Sequence, residues 1–226
     1  MVTRPNQTIE SIRADFDRIA LLSNDTWDHN SHYYNYLLSY IPDGCERILE
    51  IGCGRGEFSN LLARRGKELL AIDLSPQMVH RARQANPQSN IDFVVADVMT
   101  YDFPENYFDC ITTLTTIHHL PFETILTKIK QALRQGGIFL CLDLYQQSRL
   151  SDLFIDAAAY PMSRALRLIK TGKLKPSKAL VDAYADHGRT DRYLTLSQVN
   201  RACADILPGA LVKRHLFWRY SIVWKN

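Results

Sequence analysis

The chain is poor in the features that sort proteins quickly. It holds no apolar run near the roughly 20 residues that span a membrane, and its start, MVTRPNQTIE, has no apolar stretch of the signal-peptide kind. A soluble, cytoplasmic protein is therefore expected. Cysteine occurs five times, at Cys45, Cys53, Cys110, Cys141 and Cys203, with no CxxC pair. An odd count without a secretion signal argues against a disulfide framework, and the missing pairs argue against a thiolate metal site. Cys110 and Cys141 fall in apolar runs and read as small buried side chains. Charge is slight as well: 27 Lys and Arg against 24 Asp and Glu leave +3, too little to point to nucleic acid. Internal repeats and low-complexity segments are lacking.

What is present is a globular composition, 46% hydrophobic and 23% charged, in 226 residues, enough for one domain with a full core. Residues 1–45 read as a helical cap. Ile9, Ile12, Phe16, Ile19 and Ala20 keep the spacing of one helix face, and a second run, HYYNYLLSYIP, ends at Pro42 and Gly44. Between 46 and 143 the pattern alternates. RILEIG is a short buried strand, EFSNLLARRG a helix stopped by Gly66, and ELLAID a second strand. Ser75 and Pro76 then open a helix. IDFVVAD and YFDCITTL are further strands. A helix between Pro121 and Gly136, with Ile125, Leu126, Ile129 and Leu133 inward, leads to IFLCLD.

Apolar strands alternating with helices predict an α/β fold, a doubly wound and mostly parallel sheet with helices on both faces. Near the end, ALVKRHL and RYSIVW have only Phe217 and Trp218 between them, too few for a crossover helix, so they should pair antiparallel. The expected organisation is a single domain over 1–226. Its parts are the 1–45 cap, a ligand-binding core at 46–143, a helical lid insert at 144–192, and a last helix with the antiparallel pair at 193–226.

In such sheets ligands bind at the carboxyl ends of the strands. The loop ILEIGCGRGEFS puts Gly52, Gly54 and Gly56 there, just after the first strand, where they open the backbone to close approach. The dinucleotide fingerprint G-x-G-x-x-G fails at Glu57, and no Gly-Lys-Ser/Thr follows for a P-loop. Glu50 stands two residues before the loop, where it would repel a diphosphate and attract an amine. Asp73 ends the second strand, 21 residues after Gly52, and suits a ribose diol. Asp97 ends the third strand and can accept from an adenine amino group, with the Val98 N–H beside it. A ligand with adenine, an unphosphorylated ribose, an amine and a carboxylate is S-adenosylmethionine rather than NAD.

EIGCGRG, AIDLSPQMV, FVVADV, FDCITTLTTIHHL and LRQGGIFLCLD resemble the successive motifs of class I S-adenosylmethionine-dependent methyltransferases. The resemblance covers about residues 46–143 and is closest to the small-molecule branch that includes ubiquinone and menaquinone methyltransferases. It implies a seven-stranded sheet of order 3-2-1-4-5-7-6 with strand 7 antiparallel. It also implies that Glu50, Gly52, Gly54 and Gly56 surround the methionine moiety, with Cys53 a small spacer among them. Asp73 would hold the ribose, Leu74 and Met78 would line the purine, Asp97 and Val98 would meet the adenine edge, and Thr113 the methionine end.

The acceptor is harder to read. His118 follows the fourth strand and suits a general base, though HHLP is equally a structural turn into the next helix. Tyr33 is a candidate for lining the site or an ordinary aromatic of an amphipathic helix. The Asn/Asp-Pro-Pro-Tyr run of enzymes acting on nucleic acid bases and the Pro-Cys pair of cytosine C5 enzymes are missing. No acidic cluster beyond Asp143 suggests a metal. From Ala157 to Val181 the insert carries Arg164, Arg167, Lys170, Lys173, Lys175 and Lys178 with no acid. That row reads as a solvated helix face, or as one weakly facing an anionic membrane surface or acidic substrate. His187, Asp191, Arg192 and Tyr193 form a polar cluster either reaching the pocket or capping the surface. The expected acceptor is a small or lipid-like molecule, with no nucleic acid partner and no stable membrane insertion. The oligomeric state leaves no trace. An NAD-dependent oxidoreductase and a non-catalytic partner subunit of the same fold stand as alternatives.

Overall fold

A computed structural model describes residues 8–22, 28–147 and 150–226. Seven strands form one sheet among the described residues: β1 (Cys45–Ile51), β2 (Gly66–Asp73), β3 (Ile91–Val95), β4 (Phe108–Leu114), β5 (Leu133–Leu144), β6 (Leu211–Arg214) and β7 (Arg219–Lys225). Their order is β3-β2-β1-β4-β5-β7-β6, and only β7 runs antiparallel to both its neighbours. This is the topology implied by the sequence motifs. Every residue of β4 is buried, as expected for a central parallel strand covered on both faces.

Side chains alternate between two cores, because successive residues of a strand point to opposite faces. Ile48, Cys110, Leu140 and Val223 join one core, with Leu62, Val79 and Phe93. Leu49, Ile111, Phe139 and Ile222 join the other, with Leu126, Ile129 and Val199. On the first face lie α3 (Glu57–Leu62) and α4 (Pro76–Ala85); on the second, α5 (Phe122–Ala132) and α8 (Leu196–Ile206). Local chemistry starts these helices where the sequence indicates. The Ser75 hydroxyl accepts from the Met78 N–H with Pro76 in the first turn, and Thr195 and Gln198 form a reciprocal capping box.

Several expectations need correction. Leu133 belongs to β5, not to α5, because the strand starts ahead of the glycine pair. The ladder with β4 shifts register there, and Gly136 takes φ +75° while its N–H donates to the Asn226 carbonyl at 2.7 Å. The run HYYNYLLSYIP forms a 3₁₀ turn (Ser31–Tyr33) and a short α2 (Tyr34–Leu38) rather than one helix. In α1 (Ile9–Leu22) only Ile19 and Ala20 are buried in the packing against its neighbours. The insert contains α6 (Leu150–Thr171) and α7 (Lys178–Gly188). Its basic row is not one solvated face: Arg167 is buried, whereas the apolar Ile169 is 76% exposed. No helix is long and apolar enough to cross a membrane among the described residues.

α1 packs across α4 and α7. Its Asp17 carboxylate accepts from the Ser75 hydroxyl at 2.5 Å and from the Gln77 N–H at 3.1 Å, anchoring α1 over the carboxyl ends of the strands. The β6–β7 turn has Phe217 and Trp218 both at φ 58°, in the left-handed region. That geometry turns Phe217 fully into the core, stacked on His29 at 4.8 Å.

Candidate functional site

β1 lies between β2 and β4, so the strand order reverses beside it and a crevice opens at its carboxyl end. The glycine loop closes on β2 there: the Gly52 and Cys53 N–H groups both donate to the Ile72 carbonyl, at 2.8 and 3.0 Å. Gly52 needs its absent side chain, since at φ +74° a Cβ would lie 2.0 Å from the Thr116 hydroxyl. Gly54, at φ +53°, faces open space. A cavity of about 510 Å³ follows, within the usual range for small-ligand sites.

Carboxylates define one side of this cavity. Glu50 is 2% exposed and accepts from the Ser59 hydroxyl at 2.5 Å. Burial lifts its pKa to about 8, opposed by that hydrogen bond and aided by the charges of Glu57 and Asp73. Asp73 accepts from the Gly54 N–H at 2.8 Å through one oxygen and from the Ser75 N–H at 2.9 Å through the other, which orients the carboxylate rigidly. Burial raises its pKa above the usual carboxylate value against those two bonds. Asp97 accepts from the Met99 N–H at 2.8 Å. Burial pushes the Cys53 thiol well above its ordinary range, so it is a neutral wall group rather than a nucleophile.

Nine sequence candidates surround this one cavity: Glu50, Gly52, Cys53, Gly54, Asp73, Leu74, Met78, Asp97 and Val98. Four others do not line it. Tyr33 is buried, with its hydroxyl donating to the Leu216 carbonyl at 2.9 Å, and the adjacent Tyr34 reaches the cavity instead. Thr113 is wholly enclosed in β4, its hydroxyl without a hydrogen-bond partner among the described residues; Leu114, Thr115 and Thr116 form the wall. Gly56 caps α3 at φ +80°, and a Cβ there would press on Asn86 and Ala82. It therefore supplies the close helix packing that the dinucleotide fingerprint assigns to a later glycine. His118 is held by Asp143, with Nδ1 at 2.5 Å from one oxygen and the backbone N–H donating to the other at 3.0 Å. The neighbouring imidazole, His119, faces the cavity. Burial, with the charge of His118, pushes its pKa down to about 3.

The other side of the cavity escaped sequence reading. Ile9, Ile12 and Phe16 of α1 line it with Tyr184 of α7, Leu120 and Pro121. The spacing of the α1 residues announced an apolar face, but nothing marked that face as looking into a cavity rather than a core. Thr115 is also new. It sits at φ 48°, an uncommon conformation for a β-branched residue, and its hydroxyl accepts from the Asn30 side chain at 2.9 Å. Arg219 in turn donates to Asn30 at 2.9 Å, so a chain of hydrogen bonds holds this wall in place.

Comparison with known proteins agrees with this architecture. Residues 49–141 match the family described as "Methyltransferase domain". An uncharacterized methyltransferase of Mycobacterium tuberculosis is 26% identical over 200 residues, covering 88% of this chain and 96% of the relative. A ubiquinone biosynthesis O-methyltransferase of Xanthomonas euvesicatoria is 31% identical over 140 residues, 55% of this chain and 58% of that protein. Among solved structures, the N-methyltransferase NodS of Bradyrhizobium japonicum in complex with S-adenosyl-L-homocysteine superposes with a TM-score of 0.59 at 16% identity. The match covers 95% of this chain and 97% of that one.

Proposed function

We propose that the chain acts as a class I S-adenosylmethionine-dependent methyltransferase on a small acceptor with an apolar body, bound beneath α1 and α7, a reading supported by the methyltransferase family match and by methyltransferase relatives. The observation that carries this reading is the composition of the cavity. Buried carboxylates stand on one side of it, and an apolar collar of Ile9, Ile12, Phe16 and Tyr184 stands on the other.

The carboxylate side fits the cofactor on its own chemistry. Glu50 is a buried acid with no ion pair to a cation among the described residues, and burial raises its pKa; an amino group next to it would restore its charge. Asp73 spends one lone pair of each oxygen on the backbone and keeps others for the two ribose hydroxyls. Leu74 and Met78 would flank the purine, with Asp97 and the Val98 N–H at its edge. The open space at Gly54 leaves room for the methionine moiety. Bound S-adenosylmethionine supplies a methyl group on a sulfonium, already activated for displacement.

The protein's own contribution is then alignment and exclusion of water, and alignment alone is worth roughly 7–11 kcal/mol of barrier. α1, tied to α4 through Asp17, and α7 roof the cavity and would do both. The apolar collar favours an acceptor with hydrocarbon or aromatic surface, a chemistry in keeping with a relative named for ubiquinone biosynthesis.

Ile12→Glu tests this division. With methyl-labelled S-adenosylmethionine and a panel of medium-chain carboxylic acids and alkylated catechols, kcat/KM should fall roughly 10–200-fold, the range for a spoiled apolar contact. Affinity for S-adenosylhomocysteine should stay within about twofold. Equal losses of both would assign α1 to the cofactor and overturn the reading.

A further inference from the structure

We propose that His118, His119 and Asp191 form a binding site for one divalent transition-metal ion at the edge of the cavity. The two histidines sit in the 3₁₀ turn Ile117–His119 after β4, and Asp191 comes from the connection between α7 and α8. His118 Nε2 lies 3.9 Å from Asp191 Oδ2, and His119 Nδ1 lies 3.5 Å from Asp191 Oδ1. One ligand atom from each of the three residues falls within 4.8 Å of the others. An ion with bonds of about 2.0–2.2 Å needs its ligand atoms roughly 3–3.5 Å apart, so small side-chain rotations would complete the set. All three side chains are at least nine-tenths buried.

The surrounding hydrogen bonds say why a cation belongs there. Asp143, 2.5 Å from His118 Nδ1, holds that ring with Nε2 turned toward Asp191. On the far side, Asp15 sits 3.0 Å from His187 Nδ1, and His187 Nε2 lies 3.6 Å from Asp191 Oδ1. His119 Nε2 lies 3.4 Å from His187 Nε2. His119 Nδ1 is buried with no hydrogen-bond partner among the described residues and faces an Asp191 oxygen. Three imidazoles thus crowd one carboxylate, while Tyr193 donates to Asp191 at 2.7 Å and steadies it. An ion seated between these atoms would give the unpartnered His119 Nδ1 a partner. Each ligand also has the outer partner that metal-bound histidines and carboxylates usually have: Asp143 on His118, His187 with Asp15 on His119, and Tyr193 on Asp191. Two imidazoles and one carboxylate suit a zinc-like ion, with coordination positions left open.

The test uses the full chain, stripped by dialysis against a chelator and titrated with Co²⁺, then with Zn²⁺. One equivalent of Co²⁺ should bind, developing visible d–d absorption that Zn²⁺ abolishes. Asp191→Asn, or His119→Gln if the first variant does not fold, should lose that spectrum while keeping the wild-type circular dichroism and a cooperative unfolding transition. Asp143→Asn should weaken Co²⁺ binding roughly 10–100-fold, as outer-partner changes do. Wild-type protein that takes up no stoichiometric Co²⁺ would overturn the proposal, showing that a shared proton alone reconciles the cluster. Unchanged Co²⁺ binding by both ligand variants would overturn it as well.

Discussion

Glu50→Gln isolates the group proposed to receive the cofactor's amine. The carboxyl of Glu50 is buried at the end of β1, and its pKa stands near 8 against an ordinary 4.5. A carboxyl whose pKa is raised by folding stabilises the fold fully below pH 4.5, and that contribution is lost as pH rises through 8. Each unit between 4.5 and the working pH is worth about 1.4 kcal/mol, so at pH 7 Glu50 costs the ligand-free fold up to about 3 kcal/mol. Glutamine keeps the shape and can still accept from Ser59, but it never ionises. The ligand-free variant should therefore match wild type near pH 4.5 and exceed it increasingly up to pH 8, measured by denaturant unfolding across that range. Binding should go the other way. At pH 7 a group of pKa near 8 is about nine-tenths protonated, so an ammonium group arriving beside Glu50 should release close to one proton. Calorimetric titration of S-adenosylhomocysteine in two buffers of different ionisation enthalpy reads this directly. Glu50→Gln should release none and bind about 30-fold more weakly or worse, since it removes one partner of a buried charge pair. Equal affinities, with no proton released by wild type, would refute the assignment of Glu50 to the amine.

Two further perturbations separate local causes. Gly52→Ala and Gly54→Ala both place a side chain at positive φ, costing roughly 1–2 kcal/mol each. Only the first also drives a Cβ into Thr116, so thermal unfolding should show Gly52→Ala clearly the less stable, while Gly54→Ala spends its effect on S-adenosylhomocysteine affinity. The reverse order of stabilities would contradict the loop geometry. His29, stacked on Phe217 and hydrogen-bonded to Ser163 at 2.7 Å, has its pKa pushed down to about 4 by burial and by the charges of Arg219 and Arg167. Its contribution is complete above pH 6.5 and is lost as pH falls toward 4, so His29→Gln should flatten the acid limb of the stability profile. An unchanged slope in the variant would count against that burial.

How much of this was legible in the sequence depends on what kind of constraint each residue obeys. Glu50 and Asp73 sit in the last residues of β1 and β2, and Asp97 lies two residues past the end of β3 rather than ending it; a parallel sheet brings such ends to one edge, so their convergence was readable. Where a choice between neighbours decides the outcome, the sequence was silent. A strand alternates faces every residue, so Thr113 and Leu114 differ by one position yet only Leu114 reaches the cavity. In the same way the 3₁₀ turns at Ser31–Tyr33 and Ile117–His119 determine that Tyr34 and His119, rather than Tyr33 and His118, look inward. Arg167 is buried on α6 despite a spacing that suits a solvated row, because tertiary packing and not charge pattern decides which side of a helix is covered. Asp191 is 72 residues beyond His119 in sequence, and no local pattern could have joined them.

The central claim, that one cavity brings the methyl donor to a small apolar acceptor, is tested most directly by following the methyl group. The 226-residue chain would be incubated with methyl-labelled S-adenosylmethionine and separate fractions of lipid extract, nucleic acid and polypeptide, and the product partitioned. Label entering an organic-soluble small molecule, and falling with Ile12→Glu, is the predicted result. Label retained in nucleic acid or polypeptide, with none in the organic phase, would contradict it.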